Sequence, residues 1–352
     1  MRSVVLIVPG RLDTPTGGYR YDRCMSEGLR RRGWPVDVRE LDQSFPHPTA
    51  AALADAARVL SDLPDGTRLL VDGLALGAMP EIIVRESARL RIAALVHLPL
   101  SADVGLDPEA ASRLEAGERR ALTAAALVIV TGAAALPMLA RYPIARNRIV
   151  TVEPGTARAP LARGSGAAAP VQLLSVATLN PGKGHDVLLA ALGAMPEAPW
   201  HLTCAGSVTR HPATVARVRA TIRTLGFENR VTLAGELDPA DLDECYDRAD
   251  VFVLATRQET YGMAVAEALA RGLPVVSTTT GAIADLVGDD AGLLVPPGDA
   301  EALAGALGRV VGDNGLRAGL ARGARRARGR LRSWEQAVDE MAAALDRLEA
   351  HG

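Results

Sequence analysis

Apolar residues along this chain gather in short, β-branched bursts separated by longer stretches in which apolar and polar positions alternate with a helical period. The first burst is Ser3-Val-Val-Leu-Ile-Val8, ending at Pro9-Gly10, and others follow at 36–39, 68–72, 92–96, 126–130 and 149–152. A second series runs through 171–177, 201–205, 231–234, 250–254, 274–277 and 292–295. Bursts this short suit strands buried on both faces, and helical segments between them imply parallel, doubly wound α/β sheets. Two series predict two Rossmann-like domains joined by 154–170, a segment rich in Gly, Ala and Pro. A ligand site in the cleft between such domains is the expected consequence.

The stretch 256–277 places two carboxylates eight positions apart across a strand-loop-helix junction. Before it, Asp250-Val-Phe-Val-Leu-Ala255 reads as a buried strand; within it, Ala264 to Arg271 reads as a helix closed by Gly272 and Pro274. Glu259 then falls on the loop and Glu267 on the helix. A carboxylate can accept from both hydroxyls of a vicinal diol, and unpaired amides near Gly262 and Met263 suit a diphosphate. The plainer alternative is two solvated glutamates near a helix start.

Three more places combine loop and chemistry. The loop from Pro9 to Gly18 precedes a helix from about Tyr19 to Arg32, and its paired glycines, Gly17 and Gly18, allow backbone to approach a ligand or simply make a turn. His97 closes the strand Ile92-Ala-Ala-Leu-Val96, at the strand end where α/β sheets bind ligands, although a satisfied core histidine would read the same. Lys183 is the only lysine among 39 basic residues, and it stands in a glycine-flanked loop entering a helix. That placement favours a compact point charge near phosphate, while His185, two residues on, breaks the P-loop spacing.

Taken together, Glu259-x7-Glu267, the Gly262-Met263 step after Tyr261 and the run Ala270-Arg-Gly-Leu-Pro-Val-Val-Ser277 resemble the donor-site signature of the retaining family 4 glycosyltransferases, which have a GT-B fold. The resemblance implies an acceptor-side domain over 1–163, a donor-binding domain over 164–332 and a final helix, 333–352, crossing back to the first domain. It implies transfer of a sugar from a UDP- or GDP-linked donor with retention, no cofactor beyond that donor and no bound metal. Glu267 would hold the ribose, Glu259 and His97 the sugar, and Lys183 with Gly184, Tyr261, Gly262 and Met263 the diphosphate side. The family's Arg-Leu…Lys-Gly pattern is met as Thr178-Leu179…Lys183-Gly184, with threonine where many members carry arginine. Gly17 and Gly18 would face the donor diphosphate or the acceptor, and Gly206 and Ser207 would line the diphosphate and base pockets. Asp241-x-Asp243 resembles the metal pair of the other glycosyltransferase fold, but it lies in a helical stretch with a solvated acidic face and is set aside.

Composition narrows the rest. A net charge of -2 argues against a dedicated nucleic-acid binder, and Cys24, Cys204 and Cys245 show neither disulfide nor zinc spacing, which suits a cytoplasmic protein. Ala121 to Ala140 is uncharged but reads as helix end, strand and next helix rather than as a membrane span. Seven arginines between Arg317 and Arg332 form either a solvated helix face or a surface for anionic lipid. The acceptor, a small molecule, glycan or lipid, stays open. The competing readings are a nucleotide-sugar epimerase and a nucleotide-sugar binding protein without turnover; no GxGxxG opens either domain, against a dehydrogenase.

Overall fold

A computed structural model describes residues 2–166, 170–195 and 197–348. The chain forms two compact units, Met1–Gly155 with Arg332–Gly352, and Thr156–Leu331. Each unit holds one six-stranded sheet, parallel throughout.

In the first unit the strands are β1 (Val4–Pro9), β2 (Val36–Leu41), β3 (Arg68–Asp72), β4 (Arg91–Val96), β5 (Leu127–Val130) and β6 (Ile149–Thr151), in the order β2-β1-β3-β4-β5-β6. In the second they are β7 (Val171–Val176), β8 (Trp200–Ala205), β9 (Val231–Gly235), β10 (Val251–Leu254), β11 (Val275–Thr278) and β12 (Gly292–Val295), in the order β12-β11-β10-β7-β8-β9. Chain direction across the sheet reverses between β1 and β3 in one unit and between β7 and β10 in the other. At such a switch point the loops leaving the two strands part to opposite faces and open a crevice at their carboxyl ends.

Burial follows from position. Central strands such as Val251-Phe-Val-Leu254 are buried at every residue because helices cover both faces; Val253 joins the core on one side, and Phe252 and Leu254 the core on the other. Edge strand β2 instead exposes Asp37, Arg39 and Glu40, charges that discourage another strand from pairing there. The uncharged stretch 121–140 resolves into the end of the helix Pro108–Ala124, β5 and a short helix Leu136–Leu139. Among the described residues no helix is long and apolar enough to cross a membrane.

Four of the seven arginines between 317 and 332 are used within the chain. Arg317 donates to the carbonyls of Val310 and Val311, Arg326 pairs with Asp290, Arg328 donates to the Ala159 carbonyl, and Arg332 pairs with Glu340. Most of the run thus closes helix ends and binds neighbouring segments.

The last helix, Trp334–Asp346, opens with a reciprocal capping box between Ser333 and Gln336 and packs on the helix Gly17–Arg31 within the first unit. Gly28 makes the packing possible, since a Cβ there would lie 2.2 Å from Val338 Cγ2. Gly28→Val is therefore expected to lower stability by about 1 to 3 kcal/mol through overpacking. Gly308→Ala, in the helix Ala300–Gly312 with nothing within 4 Å of the new methyl, should raise it instead. Urea unfolding of both variants checks the opposite signs.

Candidate active site

In the second unit, the residues singled out from the sequence gather at the carboxyl ends of β7, β8 and β10, beside the β7/β10 switch point. The loop after β7 carries Thr178, a short turn Pro181–Lys183 and then Gly184, which starts the helix His185–Gly193. The loop after β10 carries Glu259 and Tyr261 and ends at Gly262, which starts the helix Met263–Ala270. Backbone contacts lock these loops together: the Arg257 amide donates to the Gly182 carbonyl at 2.7 Å, and the Thr256 hydroxyl donates to the same carbonyl at 3.1 Å. Gly206 and Ser207 follow β8 and bind the β7 loop, where the Leu179 amide donates to the Ser207 carbonyl at 3.0 Å.

Glycine is required where the loops touch. Gly184 has φ +64°, and a Cβ on it would stand 2.0 Å from the Ala255 carbonyl oxygen. At Gly206, φ +143°, a Cβ would stand 2.1 Å from the Ala177 carbonyl oxygen. Any other side chain would force these loops apart.

Lys183 Nζ donates to Glu259 Oε2 at 2.7 Å, with the two side chains 27% and 17% exposed. One of the three ammonium donors is used in this contact. Asn180 accepts from the Lys183 amide at 3.1 Å and fixes the turn that aims the lysine. Glu267, one helical turn beyond Met263, accepts from the Tyr246 hydroxyl at 3.2 Å; Tyr246 is fully buried, and the Arg271 guanidinium lies 4.2 Å from its ring centre. His185 is buried, and neither ring nitrogen has a hydrogen-bond partner among the described residues. Burial first, and the charge of Lys183 second, push its imidazole down to about 4.

Gly17, Gly18 and His97 form a separate group in the first unit. Gly17 and Gly18 open the helix Gly17–Arg31, and a Cβ on Gly18 would lie 3.2 Å from His97 Cδ2. His97 follows β4 and is 23% exposed; its Nε2 lies 3.0 Å from Asp22 Oδ1 and 3.5 Å from Asp72 Oδ2. Burial works against its charge, but Asp22 and then Asp72 overcome this and raise the imidazole to about 10. Asp22, fully buried, is raised to about 6 by desolvation; His97 partly offsets this, and the neighbouring Asp72 carboxylate adds to it.

Helix starts separate these places from the rest of the protein. Among described helices of eight residues or more, seven open on a side chain that caps a backbone amide: Thr49, Asp107, His211, Asp238, Asp299, Asp313 and Ser333. Three have no side-chain cap, and they start at Gly17, His185 and Met263. Bare amides at the positive end of a helix form an anion site. The three uncapped starts fall at three of the glycine-bearing loops identified from the sequence; the fourth, at Gly206 and Ser207, leads to the helix capped by His211.

Asp22, Asp72, Asn180 and Tyr246 were not identified from the sequence. Asp72, the last residue of β3 and followed by Gly73, carried a readable signal, a polar side chain at the carboxyl end of a buried strand. Asp22 and Tyr246 sit inside helices and become visible only through partners 75 and 21 positions away.

Two parallel sheets with these strand orders define a GT-B glycosyltransferase fold. Sucrose-phosphate synthase from Thermosynechococcus elongatus superimposes with a TM-score of 0.83 at 21% identity, covering 100% of both chains. Anabaena Alr3699/HepE in complex with UDP and glucose gives 0.79 at 17% identity, over 99% of this chain and 100% of that one. Residues 170–313 match the family described as Glycosyl transferases group 1. A D-inositol 3-phosphate glycosyltransferase of Xylanimonas cellulosilytica is 36% identical over 160 residues, 45% of this chain and 38% of that one. The chain spans about half the length of the curated relatives it matches.

The neutral, buried His185 makes stability depend on acid. Its folded-state value, about 4, lies below the ordinary 6.5, so between these the unfolded chain binds the proton and stability falls as pH falls. The loss attributable to this group is up to about 3 kcal/mol. Urea titrations at pH 7 and pH 4.5 should show a smaller acid loss in His185→Leu than in the native chain.

Proposed function

We propose that the protein is a glycosyltransferase that moves a sugar from a nucleoside diphosphate donor, UDP- or GDP-linked, with retention of anomeric configuration and without a bound metal. The observation that carries this reading is the pair of uncapped helices at His185 and Met263 flanking Lys183, with Glu267 on the second helix. Two helix ends and one ammonium suit the two charges of a diphosphate, and a carboxylate one turn along suits the ribose diol attached to it. Anabaena Alr3699/HepE, similar in fold, has been solved with UDP-glucose.

In this reading Lys183 and the helix amides take up charge as the diphosphate leaves, the electrostatic part of catalysis. Thr178, with its flanking amides, serves where many members of the family carry arginine. Gly206 and Ser207 line the donor, Tyr261, Gly262 and Met263 hold the phosphate side, and Glu259 orients the sugar; in the first unit, Gly17, Gly18 and His97 are the residues the family resemblance assigns to substrate contact. Inositol 3-phosphate is the first acceptor to test, because matched relatives carry that name.

Thermal-shift screening with UDP- and GDP-sugars identifies the donor, since a ligand of the native state raises the melting temperature by mass action. Incubation with that donor and an acceptor panel should give glycoside dependent on acceptor; epimerised donor formed without acceptor would overturn the transferase reading. Retention is read from the product's anomeric coupling constants, and metal independence from turnover in EDTA.

Lys183→Ala should lower kcat by about 10² to 10³, with little change in the urea midpoint, because the part-exposed side chain contributes one ion pair and little packing. Equal loss of folding and turnover would make the lysine structural. Glu267→Gln should cost about 1.5 to 3 kcal/mol of donor affinity, one to two decades in Kd by calorimetry. A 2'-deoxy donor should bind the native protein weakly yet discriminate little against Glu267→Gln. The two changes remove one interaction, so their cycle is non-additive; additive losses would place Glu267 away from the ribose.

A further inference from the structure

His97 meets two carboxylates from separate elements, Asp22 on the helix after β1 and Asp72 at the end of β3, beside the β1/β3 switch point. Both aspartates are buried. Their other contacts supply no positive charge: Asp72 Oδ1 accepts from the Leu74 amide at 2.7 Å, and Asp22 Oδ2 has no partner among the described residues. The remaining group packed on the ring is Tyr21, edge-on at 5.3 Å, whose hydroxyl donates to the Val152 carbonyl at 2.8 Å and whose phenol burial pushes well up, so it stays neutral.

Two acceptors converge on Nε2, so Nε2 carries a proton. Buried carboxylates without another cation also need charge compensation, and the imidazole is the group placed to supply it. The three donor atoms lie within 4.8 Å of one another, close enough to be considered for a metal, but the 3.0 Å contact between Nε2 and Oδ1 is an ordinary hydrogen-bond length. Nδ1 makes no hydrogen bond among the described residues, and the side chain is partly exposed.

We propose that Asp22 and Asp72 are positioning residues that hold His97 as an imidazolium and leave its Nδ1–H as a charged donor toward an oxygen of the substrate. The charge state stands on the cluster alone; the role toward substrate rests on the glycosyltransferase reading. A hydrogen bond with an ionised donor or acceptor is roughly twice as strong as one between neutral groups, and this imidazole keeps its proton at neutral pH only while the carboxylates face it.

The test follows the histidine directly. In protein labelled at histidine Cε1, with His97 assigned by His97→Gln, the native His97 signal should stay that of an imidazolium from pH 6 to pH 9. In Asp22→Asn and in Asp72→Asn, both near-isosteric, its midpoint should fall by about one unit or more toward the ordinary value near 6.5. Rates with a nucleotide sugar add the second readout: kcat should be flat from about pH 6.5 to 9 in the native enzyme and, in Asp22→Asn, fall as pH rises through the lowered midpoint, recovering on the acid side. A native midpoint near 6.5, a midpoint unmoved by either substitution, or one equivalent of tightly bound metal in the purified protein would overturn the proposal, as would parallel pH–rate profiles. Absence of any sugar transfer, with the imidazolium signal as expected, would count against the transferase reading and leave the charge state established.

Discussion

In the second unit everything depends on how closely two loops approach. Gly184 lies against the carbonyl of Ala255, Gly206 against that of Ala177, and Gly281, φ +58°, would put a Cβ 2.2 Å from the Glu259 carbonyl oxygen. Each contact is backbone on backbone, with no side chain between to adjust. The loops after β7, β8, β10 and β11 therefore hold one another in place, and Lys183 meets Glu259 at 2.7 Å although 76 positions separate them. Positions fixed by steric exclusion resist drift better than positions held by long flexible side chains.

The same economy governs the electrostatics. Most of the longer helices elsewhere start on a side-chain cap, usually aspartate, serine or threonine, and some helix ends are closed by arginine, as Arg317 does for Val310 and Val311 and Arg148 for Ala125. At Gly17, His185 and Met263 the N-cap residue contributes no side-chain cap, and lysine appears once in place of arginine. Among described helices of eight residues or more, the starts at Gly17, His185 and Met263 are the ones without a side-chain cap, the local feature on which an anion-binding reading of those loops rests.

Most of the architecture was legible because buried parallel strands write themselves as unbroken apolar runs; all twelve runs are strands, their ends displaced by a few residues at most. The glycines, Lys183 and Glu259 were legible because a loop between a strand and a helix is a local object. The groups that tune them were not. Tyr246, beside Glu267, lies in a helix whose pattern only says that one face is buried, and Asp22 reads as one more polar position on an amphipathic helix. What turns Asp22 from a solvated charge into the partner of His97 is the packing of β1, β3 and β4 side by side, a tertiary fact with no local trace.

The single lysine also bears on the chain's reactivity. Acetylation, carbamylation or any acylating reagent that seeks an ε-amine finds only Lys183 on this chain, and Lys183 is 27% exposed. Where an ordinary surface spreads such chemistry over many harmless amines, here each acylation event removes the ammonium facing Glu259 and leaves that carboxylate unpaired. The arginine-rich surface, inert to the same reagents, gives no protection by dilution, so among side-chain amines the acylation falls on one atom.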